Sequence, residues 1–195
     1  HPRVRRQRQM CKETGPILLE KLLIALALQV SSEVSYNEVA QTIGTDNKTV
    51  EKYIDLLEKC YVIFRLNAFN RNLRTELKKS KKIYFYDNGI RNAVIQNFAP
   101  LSLRQDTGAL WENFFISERI KANHYNGNYA KSFFWRTTQQ QEIDYIEEAD
   151  GNFTAFEMKW NPNKRPITFP SPFLNNYPVK ETVVITPENY LEWVM

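Results

Sequence analysis

The fold is decided by residues 142–160, which read EIDYIEEADGNFTAFEMKW. Two apolar, alternating runs meet here at Asp150-Gly151, a dipeptide typical of a hairpin turn. Because side chains of a strand alternate between its two faces, Glu157 and Lys159 share one face of the second run. A charge on a half-buried strand must be paired, hydrogen-bonded or bound to a metal. The hairpin therefore predicts a candidate site.

The first strand of this hairpin supplies another acid. Alternation predicts that Glu142 and Asp144 share one face, while Ile143 and Tyr145 take the other. With the tight turn between the strands, Asp144 comes to lie beside Glu157. We expect the two carboxylates to be close enough to share one ion, with the lysine on the same side.

Neighbouring carboxylates repel each other unless a cation or a proton lies between them. Residues 142–157 contain six acidic residues and no basic one, and oxygen ligands of this kind suit Mg²⁺ or Mn²⁺. Glu112 adds another carboxylate, because on its predicted helix it leans toward Phe115 and Ile116. The predicted metal ligands are Asp144, Glu157 and Glu112, and the predicted catalytic residues are these three with Lys159.

A lysine beside such an ion can position the attacking water and offset developing charge. The alternative interpretation is a salt-bridged cluster on a half-buried sheet, in which Lys159 only neutralises one acid. Both interpretations stay open at the level of the sequence.

The first half of the chain has a different pattern. Helical periodicity covers residues 17–30 and 35–43 and a third segment capped by Thr45 or Asp46. Two β-rich runs follow, at 61–64 and 83–86. Three helices and then a two-stranded ribbon are the order of a winged helix. We expect residues 16–86 to pack apart from a mixed sheet built by residues 132–186.

Charge divides the chain unevenly. The net charge is +4, and residues 1–13 alone hold five basic residues and one acid. This arm either contacts phosphates or is a solvated end. The expected division is a basic tail or linker at 1–15, a winged-helix domain at 16–99 and a sheet domain at 100–195.

The ribbon of the winged helix, residues 65–82, is the most basic part of the predicted body, with seven basic residues and one acid. The third helix has more acids than bases, which disfavours groove reading. The predicted nucleic-acid contacts are therefore Arg71, Arg74, Lys78, Lys79, Lys81 and Lys82. The alternatives are docking on an acidic domain and a merely solvated turn.

Several segments together resemble a known family. They are YNEVAQTIGTDNKTVEKYIDLLEKCYVI, KKSKKIYFYDNGIRNAVI, GALWENFFISERI, WRTTQQQEIDYI and FEMKW, in this order over about residues 16–186. The chain resembles the uncharacterised domain family found C-terminal to AAA+-type ATPase domains in bacteria and archaea. Glu112, Asp144 and the Glu157-Met158-Lys159 strand also resemble the PD-(D/E)xK nuclease superfamily.

The resemblance implies an α/β (α+β) fold, with a winged helix followed by a restriction-endonuclease-like mixed-sheet domain. It also implies an ATPase domain before this chain as partner, which would hold any ATP, and a nuclease site acting on nucleic acid. Ile143 stands where the motif has proline, Trp160 is bulky, and residues 161–178 hold several prolines where many nucleases have a helix. In these three features the chain departs from an ideal nuclease.

Other classes of site are absent from the sequence. None of the six glycines precedes a lysine, so a P-loop is missing. The two cysteines and two histidines form no zinc motif and suggest a reducing compartment. No signal peptide or transmembrane run is visible, so we expect a cytoplasmic protein without membrane contact. Since the chain begins with His1, we expect a fragment of a longer protein.

Two functions from different classes follow. The chain is either a nuclease, or former nuclease, controlled by its ATPase, or a noncatalytic module that binds DNA or a partner and relays the state of the ATPase. Binding of a divalent ion by Asp144 and Glu157 would discriminate between them.

Overall fold

The computed structural model describes residues 2–70, 81–161 and 167–195. Helix α1 runs over Pro2–Leu28 and contains Pro16. Residues 1–15 are the expected basic tail or linker, and residues 2–15 of it belong to this helix. These residues include four arginines, two glutamines and one lysine, which have high helix propensity. A single proline removes one backbone donor without preventing the turns on either side of it.

Helix α2, Tyr36–Ile43, has the ends that the sequence predicts, and helix α3, Asn47–Lys59, has the predicted start. The Ser35 hydroxyl accepts the Glu38 N–H at the start of α2. Gly44 ends α2 with φ of 76°, a conformation that favours glycine. Asp46 caps α3 by accepting the Thr49 N–H at 3.0 Å. Because these local signals agree with the apolar periodicity, three helices pack around one core that contains Leu26, Val50 and Ile54.

Seven strands form one sheet in the described ranges. They are β1 Glu33–Val34, β2 Ile63–Ala68, β3 Lys81–Phe85, β4 Lys131–Arg136, β5 Glu142–Ala149, β6 Asn152–Met158 and β7 Val179–Ile185. Their order is β1-β3-β2-β4-β5-β6-β7, with β2–β4 and β6–β7 parallel and the other pairs antiparallel. The predicted α+β fold with a mixed sheet is confirmed.

The two halves of the chain share this sheet. Asn67 and Ala68 of β2 pair with Phe133 and Phe134 of β4, so the expectation that the ribbon packs apart from the mixed sheet is wrong. Phe64, Leu66 and Ala68 on one face of β2 are buried in one core, and Ile63 on the other face is buried in a second core. A strand of this kind needs cover on both faces and neighbours at its edges.

The remaining helices cover the sheet. They are α4 Asn88–Val94, a 3₁₀ turn Leu101–Leu103, α5 Thr107–Tyr125, α6 Ser171–Asn176 and α7 Leu191–Val194. Helix α5 packs Phe115 and Ile116 against the sheet in a core with Phe156. Asn113 holds α5 in position against β3. The Asn113 amide accepts the Phe85 N–H at 2.8 Å and donates to the Phe85 carbonyl at 3.0 Å. Among the described helices none is long and apolar enough to cross a membrane.

A β-bulge interrupts β5. Ile143 pairs with Trp135 and Ile146 pairs with Phe133, so Asp144 and Tyr145 together stand opposite one residue of β4. The prediction that Ile143 and Tyr145 share a face is therefore wrong, since Ile143 lies in one core cluster and Tyr145 in the other. Bulges often occur beside functional sites, where they redirect a side chain. This bulge carries Asp144.

Candidate functional site

The four predicted site residues come from three elements and interact with one another. Glu112 lies in the second turn of α5, Asp144 at the bulge of β5, and Glu157 and Lys159 at the end of β6. The Lys159 ammonium group donates to Glu157 Oε2 at 3.0 Å. The Met158 N–H donates to Asp144 Oδ2 at 3.1 Å, which joins the ends of the two strands. The hairpin thus brings its three charged residues together.

The electrostatics of the cluster reflect an excess of buried acids. Burial and, to a smaller extent, the charge of Asp144 raise the pKa of Glu112 to about 7, against the opposing effect of Lys82. Burial also raises the pKa of Glu157 to about 7, again with a contribution from Asp144, while Lys159 lowers it. Each acid is therefore harder to ionise because of burial and of its acidic neighbour.

Asp144 lies at the centre of this coupling. Burial raises its pKa, whereas Lys82, the Met158 N–H and Lys159 act in the opposite direction. A raised pKa means that a proton or another cation is favoured at the carboxylate. Groups perturbed by burial and by a specific charged neighbour are frequent at functional sites.

Lys82 belongs to this cluster and is not an exposed ribbon residue. Its side chain is 3% exposed and its ammonium group lies 3.2 Å from Glu112 Oε1 and 2.5 Å from Glu142 Oε1. Burial alone would lower the pKa of Lys82, but Glu112, Asp144 and Glu142 raise it overall. The prediction that Lys82 contacts nucleic acid is therefore corrected: β3 turns this side chain toward the acids.

The other predicted nucleic-acid contacts lie elsewhere. Lys81 is partly buried, with its ammonium group 5.5 Å from the centre of the Tyr36 ring. The remaining four, Arg71, Arg74, Lys78 and Lys79, lie outside the residues that the structure describes.

Two further members of the cluster were missed by the sequence analysis as site residues. The Tyr84 hydroxyl donates to Glu112 Oε1 at 2.6 Å, and Glu142 accepts from Lys82. Strand alternation contained the signal, since Lys82 and Tyr84 are two residues apart and must share a face. The run of basic residues before them hid it, because the lysine was counted as part of that charged surface.

A cleft opens above the cluster, with a volume of about 610 Å³. Glu112, Asp144 and Lys159 line it, together with Trp160 and Thr107. Glu157 is 9% exposed and contacts the Lys159 ammonium group. The cleft is large enough for a small ligand, for which about 300–1,000 Å³ is usual.

The donor set can be compared with the needs of a metal ion. Within the described ranges, no three His, Cys, Asp or Glu side chains are grouped closely enough to hold an ion. Glu112 is engaged by Lys82 and Tyr84. Asp144 and Glu157 form a pair of hard oxygen donors with mutual repulsion, and Mg²⁺ is often held by one or two carboxylates and several waters. The pair fits such an ion, while the set of three is not assembled.

The fold and site define an α+β chain with a buried acidic cluster beside a cleft, and comparisons with known proteins place it among uncharacterised ones. Residues 7–101 match the family model of a domain of unknown function, DUF8612. Residues 107–193 match a second domain of unknown function, DUF4143. The two matches divide the chain between residues 101 and 107, and DUF4143 holds all four predicted catalytic residues.

Relatives occur in bacteria, in an archaeon and in a giant virus. An uncharacterized protein of Mycobacterium tuberculosis is 28% identical over 124 residues, which are 63% of this chain and 27% of the relative. An uncharacterized protein of Haemophilus influenzae is 28% identical over 83 residues, which are 40% of this chain and 21% of the relative. An uncharacterized Bro-N domain-containing protein of Acanthamoeba polyphaga mimivirus is 28% identical over 116 residues, or 58% and 56%. The chain thus spans about a quarter of the mycobacterial relative. No solved structure gives a significant match.

Proposed function

We propose that this chain is the C-terminal region of a prokaryotic AAA+-type ATP-binding protein and that its acidic cluster is a metal-dependent site for cleaving nucleic acid. One observation carries the second part. Carboxylates from three elements, Glu112, Asp144 and Glu157, are electrostatically coupled beside a cleft that Lys159 also lines. A purely structural cluster has no need of a cleft or of surplus acids.

The first part of the proposal rests on the match over residues 107–193, because DUF4143 is typically a C-terminal domain of ATPase-associated proteins. It agrees with the short coverage of the mycobacterial relative, whose remaining length has room for an ATPase domain. ATP would then bind in that other part of the protein, which would be this chain's first partner. A cytoplasmic location belongs to the same proposal.

The chain's own residues can perform definite tasks at such a site. Asp144 and Glu157 would hold Mg²⁺ or Mn²⁺, and the bound ion would supply Lewis-acid chemistry at a scissile phosphate. Because the pKa of Glu157 is about 7, a metal ion competes with a proton for this carboxylate at neutral pH. Lys159, whose side chain is 38% exposed, can orient a water and offset charge that develops on the phosphate.

Glu112 has a supporting task in this scheme. Its Oε1 atom accepts from Tyr84 and Lys82, which fixes the carboxylate at the wall of the cleft. From there it can accept a hydrogen bond from a water beside the ion. Nucleic acid is the proposed substrate, with phosphate contacts in the ribbon from Arg71, Arg74, Lys78, Lys79 and Lys81.

The test is metal binding followed by cleavage. Titration calorimetry with Mn²⁺ should show one bound ion per chain, and labelled DNA or RNA should be cut in Mg²⁺ or Mn²⁺ and stay intact in EDTA. Asp144→Asn should abolish both binding and cleavage, because an amide is a poor ligand for a hard cation. Lys159→Ala should slow cleavage and leave Mn²⁺ affinity largely unchanged.

A matched control lies on the same strand. Glu148 is 24% exposed and pairs with Lys131 at the far end of β5, so Glu148→Gln should leave metal binding and cleavage as they are. If the unmodified chain binds no Mn²⁺, or if Asp144→Asn binds it equally well, the metal site does not exist. For the ATPase part, the full-length protein should bind ATP and this chain alone should not.

A noncatalytic module is the second candidate, and the two lysines favour it. Lys82 and Lys159 already form ion pairs with Glu112, Glu142 and Glu157, so the cluster can be stable without an ion. In that case the chain binds DNA or a partner protein and relays the state of the ATPase. Folded protein that shows no Mn²⁺ binding but retains nucleic-acid affinity would select this candidate.

A further inference from the structure

A second cavity lies beside the carboxylate cleft and has a different character. Its volume is about 500 Å³ and aromatic side chains form much of its wall: Trp111, Phe114, Trp160 and Tyr190. Asn88 and Asn92 add amide groups. Cavities with apolar and aromatic walls and a few polar groups are typical of sites for small organic groups.

The rings form a connected set centred on Trp111. Its ring centre lies 5.7 Å from that of Phe114, 5.7 Å from that of Trp160 and 5.4 Å from that of Tyr190. Trp111 itself is buried, and its indole N–H donates to the Ile185 carbonyl. Trp160 is 41% exposed, so the set presents a tryptophan to the open space instead of enclosing it in the core.

The two cavities share a wall. Leu101, Thr107 and Trp160 line both of them. Trp160 follows Lys159 directly in the sequence, so the aromatic surface begins one residue beyond the proposed phosphate-binding lysine. A ligand with a phosphate in the first cavity would therefore direct its next group toward the rings of the second.

Asn92 adds a polar group of fixed orientation. Its side-chain oxygen accepts from Arg91 Nη1 at 3.3 Å and from Arg104 Nη2 at 3.0 Å. These two guanidinium donors require the carbonyl oxygen on their side, which leaves the amide nitrogen as donor on the other. Among the described residues, none accepts from that nitrogen, so it can donate to a ring nitrogen or carbonyl of a ligand.

We propose that the aromatic cavity binds an unpaired base of a single-stranded nucleic acid whose adjoining phosphate lies at Lys159. The proposal rests on the proposed function and deepens it by naming the substrate class. Single-stranded nucleic acid is commonly bound by stacking of its bases on aromatic side chains. In a duplex the bases are stacked on one another, and moving one into a cavity requires unpairing and unstacking.

The test measures the affinity of the chain for a fluorescein-labelled oligothymidylate by fluorescence anisotropy. Its linkages are phosphorothioates, which slow hydrolysis, and the buffer contains Mg²⁺. Trp160→Ala should weaken binding roughly 5- to 150-fold, the range for loss of one base–aromatic stack. Trp160→Phe should recover much of the affinity, because a smaller ring can still stack. A strand of the same length without bases should bind the unmodified chain and Trp160→Ala with equal, low affinity.

The matched control is Tyr125→Ala. Tyr125 is 83% exposed and ends α5, the same helix that carries Trp111 and Phe114 near its beginning. Tyr125 and Trp111 are therefore roughly 20 Å apart along the helix, at 1.5 Å per residue. Because Tyr125 is this far from the aromatic cavity, the change should leave the affinity unaltered. If Tyr125→Ala weakens binding as much as Trp160→Ala, the aromatic effect is general and the cavity is not the site.

Other outcomes separate this proposal from the nuclease proposal. A duplex of the same length and backbone chemistry is measured in the same assay. If Mn²⁺ binds at Asp144 but Trp160→Ala has unchanged affinity for the single strand, or if the duplex binds more tightly than the single strand, the base site is wrong and the metal site stands. If Mn²⁺ does not bind but the Trp160-dependent preference for single strands is present, the base site stands and the metal site is wrong. An unmodified chain that binds no oligonucleotide overturns the base site.

Discussion

Two buried carboxylate clusters lie along β5 and against α5, and they are built in opposite ways. In the first, Glu147 meets Arg119 in two parallel hydrogen bonds of 2.9 and 2.8 Å. The Asn123 amide donates to the same carboxylate at 2.6 Å, and the Tyr145 hydroxyl donates to it at 3.1 Å. In the second, Asp144 lies near other acids, and the positive charges beside it are the ammonium groups of Lys82 and Lys159.

The difference lies in charge balance. One acid meets one guanidinium group and two neutral donors around Glu147, an arrangement that satisfies a buried charge. Around Asp144, several acids share two ammonium groups, and the pKa values of Glu112 and Glu157 both rise to about 7. A cluster that only stabilises the fold gains nothing from repulsion among its acids. The comparison therefore separates a structural ion pair from a site prepared for another cation.

The largest expected effect comes from breaking the balanced cluster. Glu147→Ala leaves the Arg119 guanidinium, 16% exposed, without its counter-ion. Removing one partner of a buried pair costs about 3–5 kcal/mol, so the free energy of unfolding in urea should fall by about this amount. Glu148→Ala, which removes a partly exposed pair, should change it by about 1 kcal/mol or less. Equal losses in the two variants would mean that burial of the pair is unimportant.

A divalent ion should bind the cluster around Asp144 and stabilise the folded chain. An ion that binds only the folded chain stabilises it by about 2.7 kcal/mol at a concentration 100-fold above its dissociation constant. Mn²⁺ should therefore raise the midpoint of thermal unfolding, and it should do so equally in Glu148→Ala. In Asp144→Asn the increase should vanish. An increase that persists there would place the ion elsewhere on the chain.

The pH dependence of stability should reveal the unbalanced acids. The folded pKa of Glu157 is about 7 against an ordinary value of 4.5, so between these values the folded chain binds more protons than the unfolded one. Its contribution to the free energy of unfolding is complete below pH 4.5 and is lost as the pH rises through 7. Each such carboxyl contributes a change of about 1.4 kcal/mol per pH unit in that window. Urea titrations at several pH values measure this change.

The matched variant for this measurement is Glu157→Gln. It removes one titrating group, so the decrease in stability from pH 4.5 to 7 should become less steep by about one proton's contribution. Glu112 should supply what is left, since its pKa is raised in the same direction. A pH profile that Glu157→Gln leaves unchanged would show that this carboxyl titrates normally.

Much of this cluster could be predicted from residue patterns, for a physical reason. The hairpin is local, so its turn and its alternation place Glu157 and Lys159 together without knowledge of the rest of the fold. Helix caps such as Asp46 are equally local. The pairing of β2 with β4 is not, because it joins residues more than sixty positions apart and depends on which apolar surfaces meet.

The bulge at Asp144 and the position of Lys82 mark the limit of this reasoning. A bulge adds one residue to one strand, and alternation counted along a single strand has no means of detecting the mismatch. Lys82 was assigned to a basic surface because its sequence neighbours are basic. Its burial follows from the acids on α5 and β5, which are distant in sequence, so pattern alone could not separate it from Lys81.

The smallest expected effect is also the most discriminating, and it concerns Asp144→Asn in the absence of any divalent ion. The amide oxygen of asparagine can still accept the Met158 N–H that Asp144 accepts at 3.1 Å. The substitution loses attraction to Lys82 and Lys159 but relieves repulsion from Glu157 and Glu112. These effects oppose each other, and replacing a buried charge by a neutral group of similar shape is often neutral or stabilising.

We therefore expect the free energy of unfolding, measured in urea with EDTA, to change by about 1 kcal/mol or less, with a small gain favoured. A loss near that of Glu147→Ala would instead make Asp144 a structural ion-pair partner of the lysines. The two clusters would then have the same purpose, and the noncatalytic module would become the better account of the chain.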